Sequence, residues 1–311
     1  MVGRLPTWTR FLWLLVPILG VVELAAHFVF ARRAPTDAEW QAVRGSVAEL
    51  RRSDELVVVA PRWADPLARK ALGEALMPLH HVARPDESGY PRALELSALG
   101  ASAPELAGWR VVEERNAGRF RLRVRENPAP ARVLFDFVDG LTPERVQVVE
   151  RNGSELRECP WQPNARRSAG GLPGPPAFPA RRFGCPEGEP FFVGATVIDD
   201  PEYRPRRCIW AQPTPRGVLV VRFAQVPIGS KLRGHAGMPW LILRDVRGVP
   251  VELQVSVAGK SVGTLQHREQ QGWQPFEFST GEFSGQTADV EFQIRSADAR
   301  DRQFCFHADT R

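Results

Sequence analysis

Val251-Glu-Leu-Gln-Val-Ser-Val-Ala-Gly-Lys-Ser-Val-Gly263 is the stretch whose reading decides the fold. Val251, Leu253, Val255 and Val257 alternate with Glu252, Gln254 and Ser256, the period of two that turns one side of a strand to a core and the other to water. Ala258-Gly259-Lys260 supplies a tight hairpin turn, and a second strand opens at Ser261. The same alternation recurs at residues 217–223, 240–245, 274–278 and 288–295, and residues 304–307 close the set. Evenly spaced strands with Gly-rich turns predict an antiparallel β-sandwich over residues 208–311.

Upstream the pattern changes. Thr36-Asp-Ala-Glu39 forms a capping box before a helix to about Arg52, with Trp40, Val43, Val47 and Leu50 on one face. Residues 55–60 read as a buried strand, residues 61–66 as a turn and residues 67–77 as a second helix. Strands follow near residues 80–83 and 93–99, and residues 109–114 and 119–125 flank an Asn116-Ala-Gly118 hairpin turn. Residues 35–130 are therefore expected to form a small α/β domain. Residues 131–207 hold strands at 133–138 and 146–151 and then a Pro/Gly-rich connector, Gly170-Gly-Leu-Pro-Gly-Pro-Pro176. The whole is read as an α+β chain.

Residues 11–31 read FLWLLVPILGVVELAAHFVFA, with one carboxylate among 21 residues, enough for a helix to span a bilayer core of about 30 Å. Arg4 and Arg10 precede it, Arg32 and Arg33 follow, and Trp8 and Trp13 lie where an interfacial belt would. Residues 1–34 are thus expected to be a cytoplasmic stub and a single-pass anchor in a bacterial inner membrane, with the rest periplasmic. A cleaved signal peptide is the rival, since Val29-Phe30-Ala31 fits a cleavage pattern, but the apolar run is long for one. Glu23 and His27 share one helix face and could meet a partner helix, or reach toward headgroups.

Cys159, Cys185, Cys208 and Cys305 include no Cys-x-x-Cys pair, so in an exported chain they read as two disulfides rather than a metal site. Of three connectivities, Cys159–Cys185 closes the connector and Cys208–Cys305 joins the first and last strands of the final domain. The net charge of +5 is no nucleic-acid footprint. Only Lys70, Lys231 and Lys260 are lysines; the other basic residues are arginines interleaved with acids, as in Arg110, Glu113, Glu114 and Arg115. No phosphate-binding loop, dinucleotide fingerprint, nucleophile elbow or zincin motif occurs, so no cofactor is expected and an enzyme is the less favoured class.

The 251–263 hairpin, Gly272-Trp-Gln-Pro-Phe276 and Ala288-Asp-Val-Glu-Phe-Gln-Ile294 together resemble the galactose-binding-like jelly roll of carbohydrate-binding modules. The resemblance covers a third of the chain. It implies a sandwich that binds sugars or proteins, or nothing. Residues 37–130 faintly resemble the exported portion of membrane glycosyltransferases that use lipid-linked sugars, through Pro61-Arg-Trp63 and Arg92-Ala-Leu-Glu-Leu96, but the many spans that carry the catalytic acids there are missing here.

Candidate ligand-binding residues are Trp273, for stacking on a sugar ring, with His267, Arg268 and Glu269 to bond its hydroxyls. Trp273 as a core residue is the competing expectation. His80, His81, Asp86 and Glu87 could be a metal cluster, and Asp136 with Asp139 or Asp199 with Asp200 a carboxylate pair for hydrolysis, but turn and capping roles explain them as well. The expected function is a membrane-anchored envelope protein that binds glycan or a protein partner without catalysis. The alternatives are an accessory subunit of a larger membrane complex and an envelope hydrolase or glycosyl transferase.

Overall fold

The computed structural model describes residues 12–53, 55–167, 178–239, 248–299 and 302–311. The expected strand at 240–245 and the connector core at 170–176 lie outside these. The chain divides into two compact units, Met1–Pro78 with Tyr90–Pro128, and Leu79–Gly89 with Ala129–Arg311.

In the first unit α1 (Leu12–Arg33) carries exposed apolar side chains, from Leu14 and Leu15 to Phe28 and Val29. Among the described residues no helix is long and apolar enough to cross a membrane. Both ends of the expected span, Phe11 and the side chains of Phe30 and Ala31, fall outside them. Glu23 and His27 are exposed. α2 (Asp37–Leu50) opens with the expected capping box: Glu39 N–H donates to Thr36 Oγ1 at 3.3 Å, and Thr36 N–H donates to Glu39 Oε2 at 2.7 Å. Its buried face is Trp40, Val43, Val47 and Leu50.

A four-stranded sheet follows, ordered β1-β2-β4-β3: β1 (Leu56–Ala60), β2 (Arg92–Ala98), β3 (Arg110–Ala117) and β4 (Phe120–Glu126). β1 and β2 are parallel, and the remaining pairs antiparallel. Glu95, fully buried on β2, is held by Arg125 Nε at 2.7 Å and by Ala103 N–H at 2.7 Å, which accounts for the arginines on β4. Removing one partner of such a pair costs about 3–5 kcal/mol. α3 (Asp65–Leu72) stops short of the expected Met77 because Gly73 turns the chain at φ +76°.

The second unit begins with α4 (Leu79–Val82), a helical turn where a strand was expected. Four residues are too few to show a period, and Ala83 N–H closes the turn on Leu79 O at 2.8 Å. Fourteen strands follow: β5 (Phe135–Asp136), β6 (Val146–Asn152), β7 (Glu155–Glu158), β8 (Trp161–Gln162), β9 (Arg182–Gly184), β10 (Phe192–Asp199), β11 (Pro205–Ala211), β12 (Val218–Pro227), β13 (Lys231–Gly237), β14 (Val251–Val257), β15 (Lys260–His267), β16 (Gln274–Ser279), β17 (Thr287–Ser296) and β18 (Cys305–Thr310).

The last eight make the roll. One sheet runs β16-β13-β18-β11 and the other β15-β14-β17-β12, all antiparallel. The chain crosses between sheets at every step except the β14–β15 hairpin, and the first strand lies beside the last. That is jelly-roll topology. Ala258 and Gly259, at φ 49° and 79°, form the hairpin turn with two left-handed residues. Val251, Leu253, Val255 and Val257 are all fully buried. Each contributes about 1.5–3 kcal/mol relative to exposure.

Strands from residues 131–207 extend both sheets of the roll. β10, β9 and β8 continue the first sheet beyond β11, and β6 and β7 continue the second beyond β12, while β5 pairs with β18. Both expected disulfides are present. Cys208–Cys305 ties β11 to β18, whose ladder is only two residue pairs long. Cys159 follows β7 and Cys185 follows β9, so the other bond staples one sheet to the other at the extended edge.

Candidate functional site

The four residues expected to bind a sugar differ in burial and partners. His267 is fully buried; its Nδ1 lies 3.1 Å from Gln274 Oε1, and its ring packs 6.0 Å from Phe304. Glu269 is buried against Arg302 and accepts the Gly248 N–H at 2.7 Å. These contacts hold its carboxyl below the usual range although burial pushes the other way. Arg268 is exposed, as are Gln270 and Gln271 of the same loop. Trp273 is half-buried, its ring parallel to that of His235 at 5.9 Å, with the Arg206 guanidinium 5.7 Å from its centroid. It packs on a small apolar cluster of Phe192, Ile198, Cys208, Trp210 and Cys305, on the side of the sheet opposite the main core. Trp273 is thus placed outside the main core, against this smaller cluster.

Around it the sheet surface is polar and closed. His235 on β13 faces His307 on β18 in register, and His307 Nε2 lies 3.1 Å from Asp136 Oδ2. Arg233 Nη2 reaches Asp86 at 2.9 Å, and Arg311 reaches Asp309 at 2.6 Å and Ser88 Oγ at 2.6 Å. Burial above all lowers His235 to about 4; Asp86 opposes this, and His307, Arg233 and Arg206 reinforce it. The ring is therefore neutral at physiological pH.

The other groupings are consumed in the same way. Asp136 serves His307 and the Val138 N–H, and Asp139 pairs with Arg207. Asp200 pairs with Arg206 at 2.8 Å and accepts the Glu202 and Arg204 N–H groups. Burial first, and then the neighbouring Asp200 charge, raise the Asp199 carboxyl above its usual range. Asp86 pairs with Arg233 and Glu87 with Arg84. Among the described residues one trio has metal-like proximity, Glu150 with Cys159 and Cys185, but both sulfurs are spent in the disulfide.

Among the described residues, a cleft opens at the extended edge of this unit. It has a volume of about 540 Å³ and is lined by the 141–144 loop, Trp161, Pro163, Pro179, Arg181 and Ala195. Trp161 stands on β8 beside the stapling disulfide, half-buried, edge-on to Phe183 at 4.9 Å. Trp161 and Ala195 pack against the margin of the main core and still border the cleft. Pro163 and Pro179 add rigid apolar walls. Arg181 and Glu144 are exposed on the rim. The Glu144 carboxyl lies below its usual range because its own N–H and the Thr142 hydroxyl bond to it, so it stands ionised as an acceptor. An indole, two prolines, a hydroxyl, a carboxylate and a guanidinium line this cleft, the mix of apolar wall and few polar groups that small-ligand sites have in general.

Sequence reasoning missed these residues. Cys159-Pro-Trp-Gln-Pro163 holds the available signal, an aromatic braced between prolines beside a disulfide. Arg181 and Pro179 lie across the connector, and the β8–β9 pairing, the Cys159–Cys185 disulfide and the Ala165 N–H bond to the Ala180 carbonyl bring the two sides together.

No family model matches the chain, and no curated protein matches it. Among solved structures it is similar to carbohydrate-binding modules. The second family 51 module and INT domains of Clostridium perfringens ZmpB, in complex with GlcNAc, match at TM-score 0.28 and 8% identity, over 38% of this chain and 25% of that one. The family 51 module of Clostridium perfringens GH95, in complex with methyl-galactose, matches at TM-score 0.29 and 6% identity, over 38% and 81%. A family 28 module specific for non-crystalline cellulose matches at TM-score 0.24 and 7% identity, over 38% and 78%. At these scores the jelly roll rests on its strand pairings. The likeness of residues 37–130 to membrane glycosyltransferases finds no support among these structures.

Proposed function

We propose that this is an envelope glycan-binding protein, tethered by α1 to a bacterial inner membrane, with the jelly roll on the periplasmic side and no catalytic step. The Trp161 cleft carries the reading. A pyranose ring presents axial C–H groups that suit an indole, and its hydroxyls suit a carboxylate acceptor and a guanidinium donor. Trp161 stacks, Glu144 accepts, Arg181 donates, and Thr142 holds Glu144 in place. The tether is supported by the exposed apolar side chains of α1 and by two disulfides, which belong to an oxidising compartment.

The test is co-sedimentation of the full chain with isolated peptidoglycan sacculi and affinity electrophoresis in lipopolysaccharide. Binding to either that weakens about tenfold or more in Trp161→Ala, and measurably in the exposed Glu144→Gln, is expected. Binding indifferent to both variants would place the ligand elsewhere. A second reading, an accessory subunit of a membrane complex, draws on Glu23 and His27, which are exposed one turn apart on α1. Photo-crosslinking from positions 23 and 27 to a single larger membrane protein would favour it.

A further inference from the structure

We propose that the Cys159–Cys185 bond is a thiol–disulfide exchange site, opened by a dithiol partner with Glu150 as the proton donor to the departing sulfur. Strand register places the three residues together in the second unit. Glu150 lies opposite Arg157 in the β6–β7 ladder, and beyond it the Cys159 N–H donates to the Val148 carbonyl at 2.9 Å. Residues 148 and 150 share one face of β6, so Glu150 is a diagonal neighbour of Cys159. One Glu150 oxygen and both sulfur atoms lie within 4.8 Å of one another, and all three residues are buried.

The two disulfides differ in their surroundings. Cys208–Cys305 lies in an apolar cluster with Phe192, Ile198 and Trp210, and its chain neighbours Ile209, Phe304 and Phe306 are buried. Cys159–Cys185 lies one residue below the surface, since Glu158, Pro160 and Pro186 beside its cysteines are exposed. The strands there are short, two residues in β8 and three in β9, and an edge of this kind opens locally at less cost than the core. Breaking an S–S bond releases a thiolate, and burial disfavours a charged sulfur. A carboxyl that still holds its proton removes that charge. Burial and the bond to Glu187 raise Glu150 to about 8, against the pull of Arg157 and Arg216, so it is protonated at neutral pH. Arg157 Nη1, 3.4 Å away, steadies the carboxylate left behind.

A thiolate of the dithiol attacks Cys185 Sγ, the cysteine that is 6% exposed against 1% for Cys159. The mixed disulfide forms as the Cys159–Cys185 bond breaks. The electron pair of that bond goes to Cys159 Sγ, which takes the Glu150 proton. The second thiol of the dithiol gives its proton to the Glu150 carboxylate and attacks the reagent's own sulfur in the mixed disulfide. Cys185 leaves as a thiolate and is protonated from water. The dithiol ends as a disulfide, the protein holds two thiols, and Glu150 is again protonated.

The full chain, oxidised and undenatured, is treated with dithiothreitol and quenched in acid at intervals, and its freed thiols are alkylated and located by peptide mass spectrometry. Cys159 and Cys185 should be freed several-fold faster than Cys208 and Cys305. Glu150→Gln should slow their release about tenfold or more and leave the Cys208–Cys305 rate unchanged. A substitution that merely loosened the fold would speed both bonds, and the wild type's own pH profile then decides. In the wild type the Cys159–Cys185 rate per reagent thiolate should fall as pH rises through 8 and Glu150 loses its proton. Equal rates at the two bonds would overturn the exchange site. Release in a folded Glu150→Gln protein as fast as in the wild type, or a per-thiolate rate flat through pH 8, would overturn the proton donor.

Discussion

Glu150 points into the sandwich from β6 with its side chain only 3% exposed, next to the stapling disulfide. Arg157 Nη1 lies 3.4 Å from it and 2.6 Å from Glu187, so two carboxyl groups share one guanidinium. Burial, and then the bond to Glu187, raise Glu150 to about 8, and the pair holds a proton between them. A carboxyl whose folded pKa exceeds its unfolded value of 4.5 stabilises the fold fully below 4.5, and loses that contribution as pH rises toward 8. Glu150→Gln keeps the neutral shape and removes the titration. Its thermal midpoint should exceed the wild type's above pH 8 and differ little below pH 4.5; parallel midpoint-against-pH curves for the two proteins would disprove the shared proton. His235 behaves in the opposite sense. Its folded pKa, about 4, lies below the unfolded 6.5, so stability is complete above 6.5 and falls as pH drops toward 4. His235→Gln should flatten that acid slope in urea titrations run across the same window. An unchanged slope would assign it to Asp86 or Asp136 instead.

At the scale of elements, the two disulfides do different work. Cys208–Cys305 spans a sequence separation of 97 and closes the roll where its ladder is shortest. Replacing both cysteines with alanine should cost about 3–5 kcal/mol, read as a lower urea midpoint. A loss below about 1 kcal/mol would mean that the β11–β18 ladder holds without it. These elements also mark what the sequence makes legible. The β14–β15 hairpin and the capping box of α2 can be read from local pattern, because period and turn chemistry act over a few residues, while the two disulfide pairs, 26 and 97 residues apart, follow from the count of four cysteines and the order of the strands. β13 could not. Lys231-Leu-Arg-Gly-His-Ala-Gly237 has two glycines and no β-branched residue, and it is a strand because β16 and β18 pair with it on both sides. His267 and Glu269 looked like loop-rim ligands for the same reason: nothing local reveals that Gln274 and Arg302 are waiting for them. The Trp161 cleft needs the β8–β9 pairing across the connector, a contact that no window of sequence contains.

For the whole molecule, the open cleft lies at the added edge of the roll, where β8, β9 and β10 extend one sheet and the disulfide pins it to the other. Two of its lining residues, Trp161 and Ala195, stand on strands added outside the eight-stranded roll, and Glu144 and Arg181 stand on loops beside them. The direct test is a glycan array probed with the full chain in its oxidised form, in wild type, Trp161→Ala and Trp273→Phe versions. Glycan recognition at the cleft predicts a specific set of hits that Trp161→Ala loses and Trp273→Phe keeps. A blank array for the wild type, or hits that survive in Trp161→Ala and vanish in Trp273→Phe, would contradict it.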